Sequence, residues 1–510
     1  MKNKKLVFIR LVSQIVFFFV FVYILWSTTY SLTGKLPSEL FFKIDPLLMV
    51  ITAISERVLL PGLIFSFIML GLTLILGRFF CGWICPLGTA IDFFGWLNKK
   101  KALVDPAVNQ RVRKIKFYIL TIIAVFAVFG IQIAWLFDPI VITGRFVSLN
   151  LIPSVTLLID SFFIAIIRMV NLYQPLLDLY RVLQENILGI KESYFAHAGA
   201  IFAFFLLVCG VSLLVSRLWC RTLCPLGALY AFFSRDALLT RKVDECTFCH
   251  KCSRHCRMRA INKDMSYEKQ ECVLCLDCIY ECPSRSTRFV FRRAKEIKKG
   301  ETSSGEGGIV RREFLVLMAA AVGAVFLKSR GKKREDEHIR DAVLLRPPAA
   351  LKEEEFLARC IRCGNCMKVC PTNALQPVMI ESGAMAMWTP RLVPEIGYCE
   401  YNCTLCQQVC PTGAISKISL AKKQKIKIGI AKINKKTCLP WGKNKECIVC
   451  EEHCPVPDKA IKIKEEIIDG KVMLRPEIDE DLCIGCAICQ TKCPVRPRAI
   501  RTVPEKSDRM

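Results

Sequence analysis

Twenty-eight of the chain's 29 cysteines fall into seven groups of four. One spacing dominates: Cys360-x2-Cys363-x2-Cys366-x3-Cys370-Pro371. It recurs as Cys272-Cys275-Cys278-Cys282-Pro283 and Cys483-Cys486-Cys489-Cys493-Pro494. Near variants are Cys246-Cys249-Cys252-Cys256, Cys399-Cys403-Cys406-Cys410 and Cys438-Cys447-Cys450-Cys454. Cysteines this dense could signal a disulfide scaffold. The repeated Cys-x2-Cys-x2-Cys argues otherwise, because thiols three residues apart suit one shared centre better than separate bridges. The remaining group, Cys81, Cys85, Cys220 and Cys224, sits beside apolar segments.

A run of Cys-x2-Cys-x2-Cys-x3-Cys-Pro is the spacing that holds cubane [4Fe–4S] clusters. Thiolate is the soft ligand such clusters need. Zinc sites instead separate two Cys-x2-Cys pairs by a longer loop, so six cubanes are expected. In two-cluster proteins the fourth cysteine of each run serves the other cluster. That rule assigns Cys246, Cys249, Cys252 and Cys282 to one cluster, and Cys272, Cys275, Cys278 and Cys256 to its partner. Cys256 departs from the pattern, since Arg257 follows it. Four half-motifs between Cys360 and Cys493 make two further pairs, each ending in an Ala-Leu or Ala-Ile tail that begins a short strand. The Cys246-x2-Cys249-His250 string also fits covalent haem attachment. It lies inside a cluster run on the expected cytoplasmic side, so no haem is expected. Cys209, alone in an apolar helix, reads as a packing residue.

At 53% hydrophobic residues the chain is too apolar for a simple soluble enzyme. Runs of membrane-span length lie at about 6–26, 58–77, 117–137 and 197–216. The net charge of +27 concentrates in loops beside them, which argues against nucleic acid as a partner. Lys2, Lys4 and Lys5 precede the first run, and Lys99, Lys100, Lys101, Arg111, Arg113, Lys114 and Lys116 follow the second. The positive-inside bias therefore places the N-terminus, 78–116 and the chain after 217 in the cytoplasm, and 138–196 outside. The stretch 148–170, broken by Pro153, Asp160 and Arg168, reads as interfacial or re-entrant. An internal repeat supports this arrangement: RFFCGWICPLGTAIDFF at 78–94 and RLWCRTLCPLGALYAFF at 217–233. Two such units would bring Cys81, Cys85, Cys220 and Cys224 together. Those four could bind a metal or cluster, exchange thiol and disulfide, or shape the helix exits.

A Gly/Ser linker near 300–309 leads to Val310-Arg311-Arg312-Glu313-Phe314-Leu315 and a short apolar run. Twin arginines before such a run read as an export signal retained as an anchor. The alternative is a basic flank with a buried helix. The expected fold is an α-helical membrane domain of four to five spans plus α+β bacterial-type 4Fe-4S ferredoxin domains. Its parts are 1–240 in the membrane, 241–299 with two clusters, 300–344 as linker and anchor, and 345–510 with four clusters.

With these motifs on view, residues 1–300 resemble NapH and its NosR- and MauN-type relatives. Residues 310–510 resemble NapG and MauM. The chain thus looks like the two components of a ferredoxin-like quinol dehydrogenase in one polypeptide. By analogy with four-cluster ferredoxin subunits, the C-terminal halves would nest, first with fourth and second with third, with adjacent pairing as the rival. The resemblance implies a multi-pass protein of the bacterial inner membrane, with 241–299 cytoplasmic and 345–510 periplasmic. Quinol would be oxidised in the membrane domain and electrons passed to a periplasmic reductase or cytochrome. Asp138, Arg145 and His197 are candidates for handling quinol or its protons, against interfacial capping and anchoring. Two other functions remain open: a quinone-independent transmembrane relay, and a maturation or regulatory protein for a partner metalloenzyme.

Overall fold

The computed structural model describes residues 2–28, 37–56, 62–98, 106–169, 194–262, 264–291, 344–468 and 471–510, with parts of 177–184. The twin arginines and most of 300–344 lie outside the described residues. The chain divides into two compact units. Unit 1 is Met1–Leu25, Glu39–Phe146 and Gly199–Lys332; unit 2 is Trp26–Ser38, Val147–Ala198 and Lys333–Met510. The boundary departs from the sequence expectation, because unit 2 takes in 26–38 and 147–198 along with the C-terminal cysteine groups.

Unit 1 is helical. Its long elements are α1 (Lys2–Trp26), α2 (Pro46–Glu56), α3 (Leu63–Leu76), α4 (Pro106–Val128) and α5 (Ala198–Leu214). Their polarity is inverted relative to a water-soluble bundle. Arg10, Gln14, Thr52, Ser66 and Thr73 are buried, whereas Phe8, Phe19, Ile64, Phe67 and Leu207 are each at least 60% exposed. So many large apolar side chains turned outward are more than a free water-soluble domain usually exposes, and mark an interaction surface. Among the described residues two helical runs are long and apolar enough to cross a membrane, Lys5–Trp26 and Pro139–Met169. The other expected spans are shorter or more charged. Leu63–Leu76 has 14 residues, a rise of roughly 21 Å against a hydrocarbon core of about 30 Å.

The expected break at 148–170 is not present. Helices Pro139–Phe146 and Ile152–Met169 join through a π-helical turn, Val147–Leu151. Pro153 comes just after that π turn, where the hydrogen-bond ladder is already irregular, and the helical run continues past it. Asp160 is buried and accepts the Tyr180 hydroxyl at 3.1 Å.

Three ferredoxin-like modules are closed in the same manner. A strand before the first cysteine meets the tail after the last. In unit 1, β1 (Leu239–Val243) pairs antiparallel with β2 (Thr287–Phe291). In unit 2, Ala350 bridges Ile415, and a strand at Ile430–Ile433 pairs with one at Ile500–Val503. A longer hairpin, Ile461–Ile468 with Lys471–Ile478, extends the last module. The Ala-Ile and Ala-Leu tails do begin strands, at Leu375, Ile461 and Ile500, and Ile415 forms the bridge.

Candidate metal centres

Each regular cysteine run is built on left-handed residues. Positive φ occurs just before the second cysteine, at Phe248, Leu274, Arg362 and Gly485, and again just after it, at His250, Leu276, Gly364 and Ala487. Flanking a residue with left-handed neighbours folds the loop into a concave nest of N–H groups, which favours an anion. A short helix follows, at Lys251–Arg254, Asp277–Tyr280, Asn365–Lys368 and Ile488–Lys492. The irregular groups at Cys399 and Cys438 lack this double signature.

The cages follow the exchange of fourth cysteines. Cys246, Cys249, Cys252 and Cys282 line one cavity. Cys272, Cys275, Cys278 and Cys256 raise one another's pKa values after burial does. In unit 2, Cys360, Cys363, Cys366 and Cys410 line a second cavity, and Cys438, Cys447, Cys450 and Cys493 a third. Cys399, Cys403 and Cys406 gather around Cys370. Cys486 has Cys483 and Cys454 beside it, and Cys489 has Cys486 and Cys483. The C-terminal halves therefore pair first with second and third with fourth, so nesting is corrected to adjacent pairing. Strand closure is the physical reason: Ala350 to Ile415 ties the first two halves, and Ile430–Ile433 to Ile500–Val503 ties the last two.

The four cages of unit 2 form a row. Exchanged cysteines link the 360 cage to the 399 cage, and the 438 cage to the 483 cage. The two pairs meet where the Cys399 N–H donates to the Cys486 carbonyl at 2.9 Å. The row also has an anchored end. Leu149 packs on Gly364, and Lys368 donates to the Trp26 and Thr28 carbonyls at 3.2 and 2.9 Å. Tyr194 accepts from Asn373 and Gln376, and Gln376 accepts from the Ala196 N–H at 2.8 Å.

These sets fit iron–sulfur cubanes. Burial pushes Cys363 and Cys486 up to about 12, so without iron they are neutral thiols, and iron binding must expel their protons. Among the described residues no three cysteine, histidine or carboxylate side chains converge as a single metal ion requires. When bound, each cluster supplies one-electron redox chemistry. The chain supplies the thiols, the nests of N–H groups and the burial.

The duplicated motifs occupy equivalent places in unit 1. Each has a short helix, Phe79–Trp83 or Leu218–Thr222, and a cysteine capping the next, Pro86–Leu97 or Pro225–Ser234. Cys85 Sγ accepts the Gly88 N–H at 3.4 Å and Cys224 Sγ accepts the Gly227 N–H at 3.2 Å. Burial raises both thiols well above the usual range, and Cys81 and Cys220 raise each of them further.

Asp138 and Arg145 lie in unit 1 and His197 in unit 2. Asp138 is fully buried and accepts the Ile140 and Val141 N–H groups at 2.9 Å, so it caps a helix. Arg145 donates to the Trp135 carbonyl at 3.1 Å and stacks over that ring. His197 is exposed beside Glu381 at 3.8 Å. Sequence reasoning missed Asp45, a buried cap of α2 that accepts the Leu47 N–H at 2.9 Å. Burial, then the charge of Asp138, raise Asp45 well above the carboxylate range. Burial holds Asp138 up at about 6, offset by hydrogen bonds from Asp45 and the helix N–H groups. Both carboxyls thus favour the protonated form more than exposed carboxylates do. The pair's only sequence signal is the shared Asp-Pro that opens both helices.

Comparison with known proteins agrees with this geometry. A family model described as a 4Fe-4S binding domain matches residues 58–103 and 198–244. A 4Fe-4S dicluster domain matches 359–414, the two halves that exchange ligands here, and a further 4Fe-4S binding domain matches 476–497. The methylamine utilization ferredoxin-type protein MauM of Methylorubrum extorquens AM1 is 34% identical over 181 residues, 34% of this chain and 80% of its own length. The ferredoxin-type protein NapG of Escherichia coli K12 is 33% identical over 148 residues, 28% of this chain and 63% of its own. YccM of the same organism, provisionally named an electron transport protein, is 26% identical over 263 residues, covering 49% and 61%. No solved structure matches.

Proposed function

The chain belongs to the family of MauM- and NapG-type ferredoxin-type proteins, and from that premise we propose that it is a membrane-bound quinol-oxidising component of an electron-transfer chain. It is an iron–sulfur electron-transfer protein. The observations that support the finer reading are the row of four cages in unit 2, anchored on Trp26, Thr28 and Leu149, and the outward-facing apolar side chains of unit 1. Electrons would leave quinol in the helical base, pass singly through the clusters and reach a periplasmic reductase or cytochrome. The Asp45–Asp138 pair suits the accompanying protons, since two carboxyls lie together in a fully buried setting.

The inverted polarity of unit 1 supports a multi-pass membrane domain. Sidedness is supported by what each module grips. The 241–291 module is tied to Arg78, Trp83, Arg113 and Lys116, which loop charge places in the cytoplasm. The 344–510 module is tied to Trp26, Thr28, Tyr194 and Ala196, at helix ends that the same bias places outside. Because the two repeats share one site, the chain between them must cross an even number of times. Helices α4 and α5 would supply two of those crossings.

The test uses anaerobically purified full-length protein in lipid nanodiscs. Menaquinol or ubiquinol analogues should bleach the cluster absorbance. Bleaching by reduced ferredoxin but never by quinol would replace this reading with a quinone-independent relay. Normal quinol oxidation, with a partner enzyme lacking its cofactor in cells without the protein, would point to a maturation role.

A further inference from the structure

We propose that Cys81, Cys85, Cys220 and Cys224 hold a seventh iron–sulfur cluster, placed one loop away from the cage of Cys272, Cys275, Cys278 and Cys256. Four observations on the duplicated motif carry this.

The first is that the two motifs face each other and exchange arginines. Arg217, which opens the second motif, donates to the Cys81 carbonyl of the first at 3.1 Å. Arg78, which opens the first, reaches the second, where its Nη2 lies 2.8 Å from the position a Gly227 Cβ would take. The local frames match as well: a Cβ on Gly88 would meet the Cys81 carbonyl at 3.0 Å, and one on Gly227 would meet the Cys220 carbonyl at 3.3 Å. Duplicated halves that cross in this way build a two-fold cage, and each half delivers two thiols to it.

The second concerns donors left without an acceptor. Arg78 Nε and Nη2 and the Tyr230 hydroxyl are buried and make no hydrogen bond. Both residues are fully shielded from solvent. An orphaned buried donor costs about 1–3 kcal/mol, and these flank the four thiols. Sulfide and thiolate sulfur would accept from them. A buried guanidinium on each side, Arg78 and Arg217, suits an anionic ligand set. Asp92, which grips Arg217 at 2.7 and 2.8 Å, and Glu271, which grips Arg78, hold those guanidiniums in place.

Burial is the third. Cys85, Cys220 and Cys224 are buried and Cys81 half-buried, in a setting too dry for exchange with a soluble thiol. A catalytic disulfide needs an accessible sulfur, whereas a cluster needs four sulfurs held away from water.

Contact with the wire is the fourth. Gly82, between the first two cysteines, presses on the loop between Cys272 and Cys275: a Cβ there would stand 2.1 Å from the Val273 carbonyl oxygen. The neighbouring Trp83 indole donates to the Leu274 carbonyl at 3.1 Å. A redox-inert ion at this position would adjoin the wire without joining it. An iron–sulfur centre would extend it into the helical base, where the fully buried Tyr230 lies. The inference does not depend on which donor feeds the wire, since its readout is metal content and spectrum.

The experiment compares full-length protein, purified anaerobically in detergent, with its Cys220→Ala/Cys224→Ala and Cys209→Ala variants. Six cubanes account for about 24 irons. The expected result is two to four irons above that complement in the wild type and in Cys209→Ala, and a return to about 24 in the double variant. One component of the Mössbauer and reduced-state EPR spectra should vanish with them. If the double variant fails to fold, Tyr230→Phe decides. It should keep the full iron content while lowering the midpoint potential of one centre alone, because a donor to its sulfurs is gone. The proposal is overturned by wild-type iron at the six-cubane level, by stoichiometric zinc or copper bound through these thiols, or by a Tyr230→Phe protein with every potential unchanged.

Discussion

Single residues set how closely the redox loops approach. Gly82 has a right-handed backbone, so its need for glycine is purely spatial: the Val273 carbonyl occupies the space of a side chain. Gly82→Ala is therefore expected to cost about 1–3 kcal/mol. It should also slow electron delivery to the 241–291 module, read as delayed bleaching of its clusters in stopped flow. The Asp45–Asp138 pair makes a separate prediction. Asp138 is raised from its ordinary value to about 6, so the folded protein binds that proton more tightly than the unfolded chain. Its stabilising contribution is full below about pH 4 and is lost as pH rises through about 6. Thermal melts of the detergent-solubilised protein should fall over that window. Asp138→Asn keeps a capping side chain and should flatten the fall, whereas Asp138→Ala should lose about a further 1 kcal/mol with the cap. An unchanged slope in Asp138→Asn would remove the pair from the account.

At the scale of elements, ligand exchange between half-motifs is the organising rule, and iron counts can test it. Cys360→Ala and Cys410→Ala should each remove one cluster, about four irons. Combined, they should still remove only that one, because both serve the same cage. Cys360→Ala with Cys493→Ala should remove two clusters, about eight irons; nested pairing would reverse these outcomes. Much of this level was legible beforehand. The cysteine spacing and the rule of the exchanged fourth ligand assign the cage of Cys246, Cys249, Cys252 and Cys282 without coordinates. Pairing among the C-terminal halves was not legible, because every half has nearly the same spacing and the same Ala-Ile tail. What decides it is which strand closes which tail, a long-range choice between Ile430–Ile433 and its partners. The π turn at Val147–Leu151 was hidden for a similar reason. Pro153 looks like a break locally, yet it sits just after the π turn and the helical run continues past it. The crossing of Arg78 and Arg217 between repeats left no trace in either repeat alone.

For the whole molecule, the claim is that clusters serve a lipid-embedded base, and loop charge assigns the two cluster modules to opposite sides of the membrane. Reporter fusions after residue 240 and after residue 345 should report cytoplasm and periplasm respectively. Two cytoplasmic reports would place every module on one side and leave the twin-arginine reading without support. The most direct test of the central claim is the iron and acid-labile sulfide content of anaerobically purified full-length protein, taken with its Mössbauer spectrum. The account expects about four irons and four sulfides for each of at least six cubanes, in clusters that dithionite reduces. Zinc in the cages, or cysteines joined as disulfides with no inorganic sulfide, would contradict it.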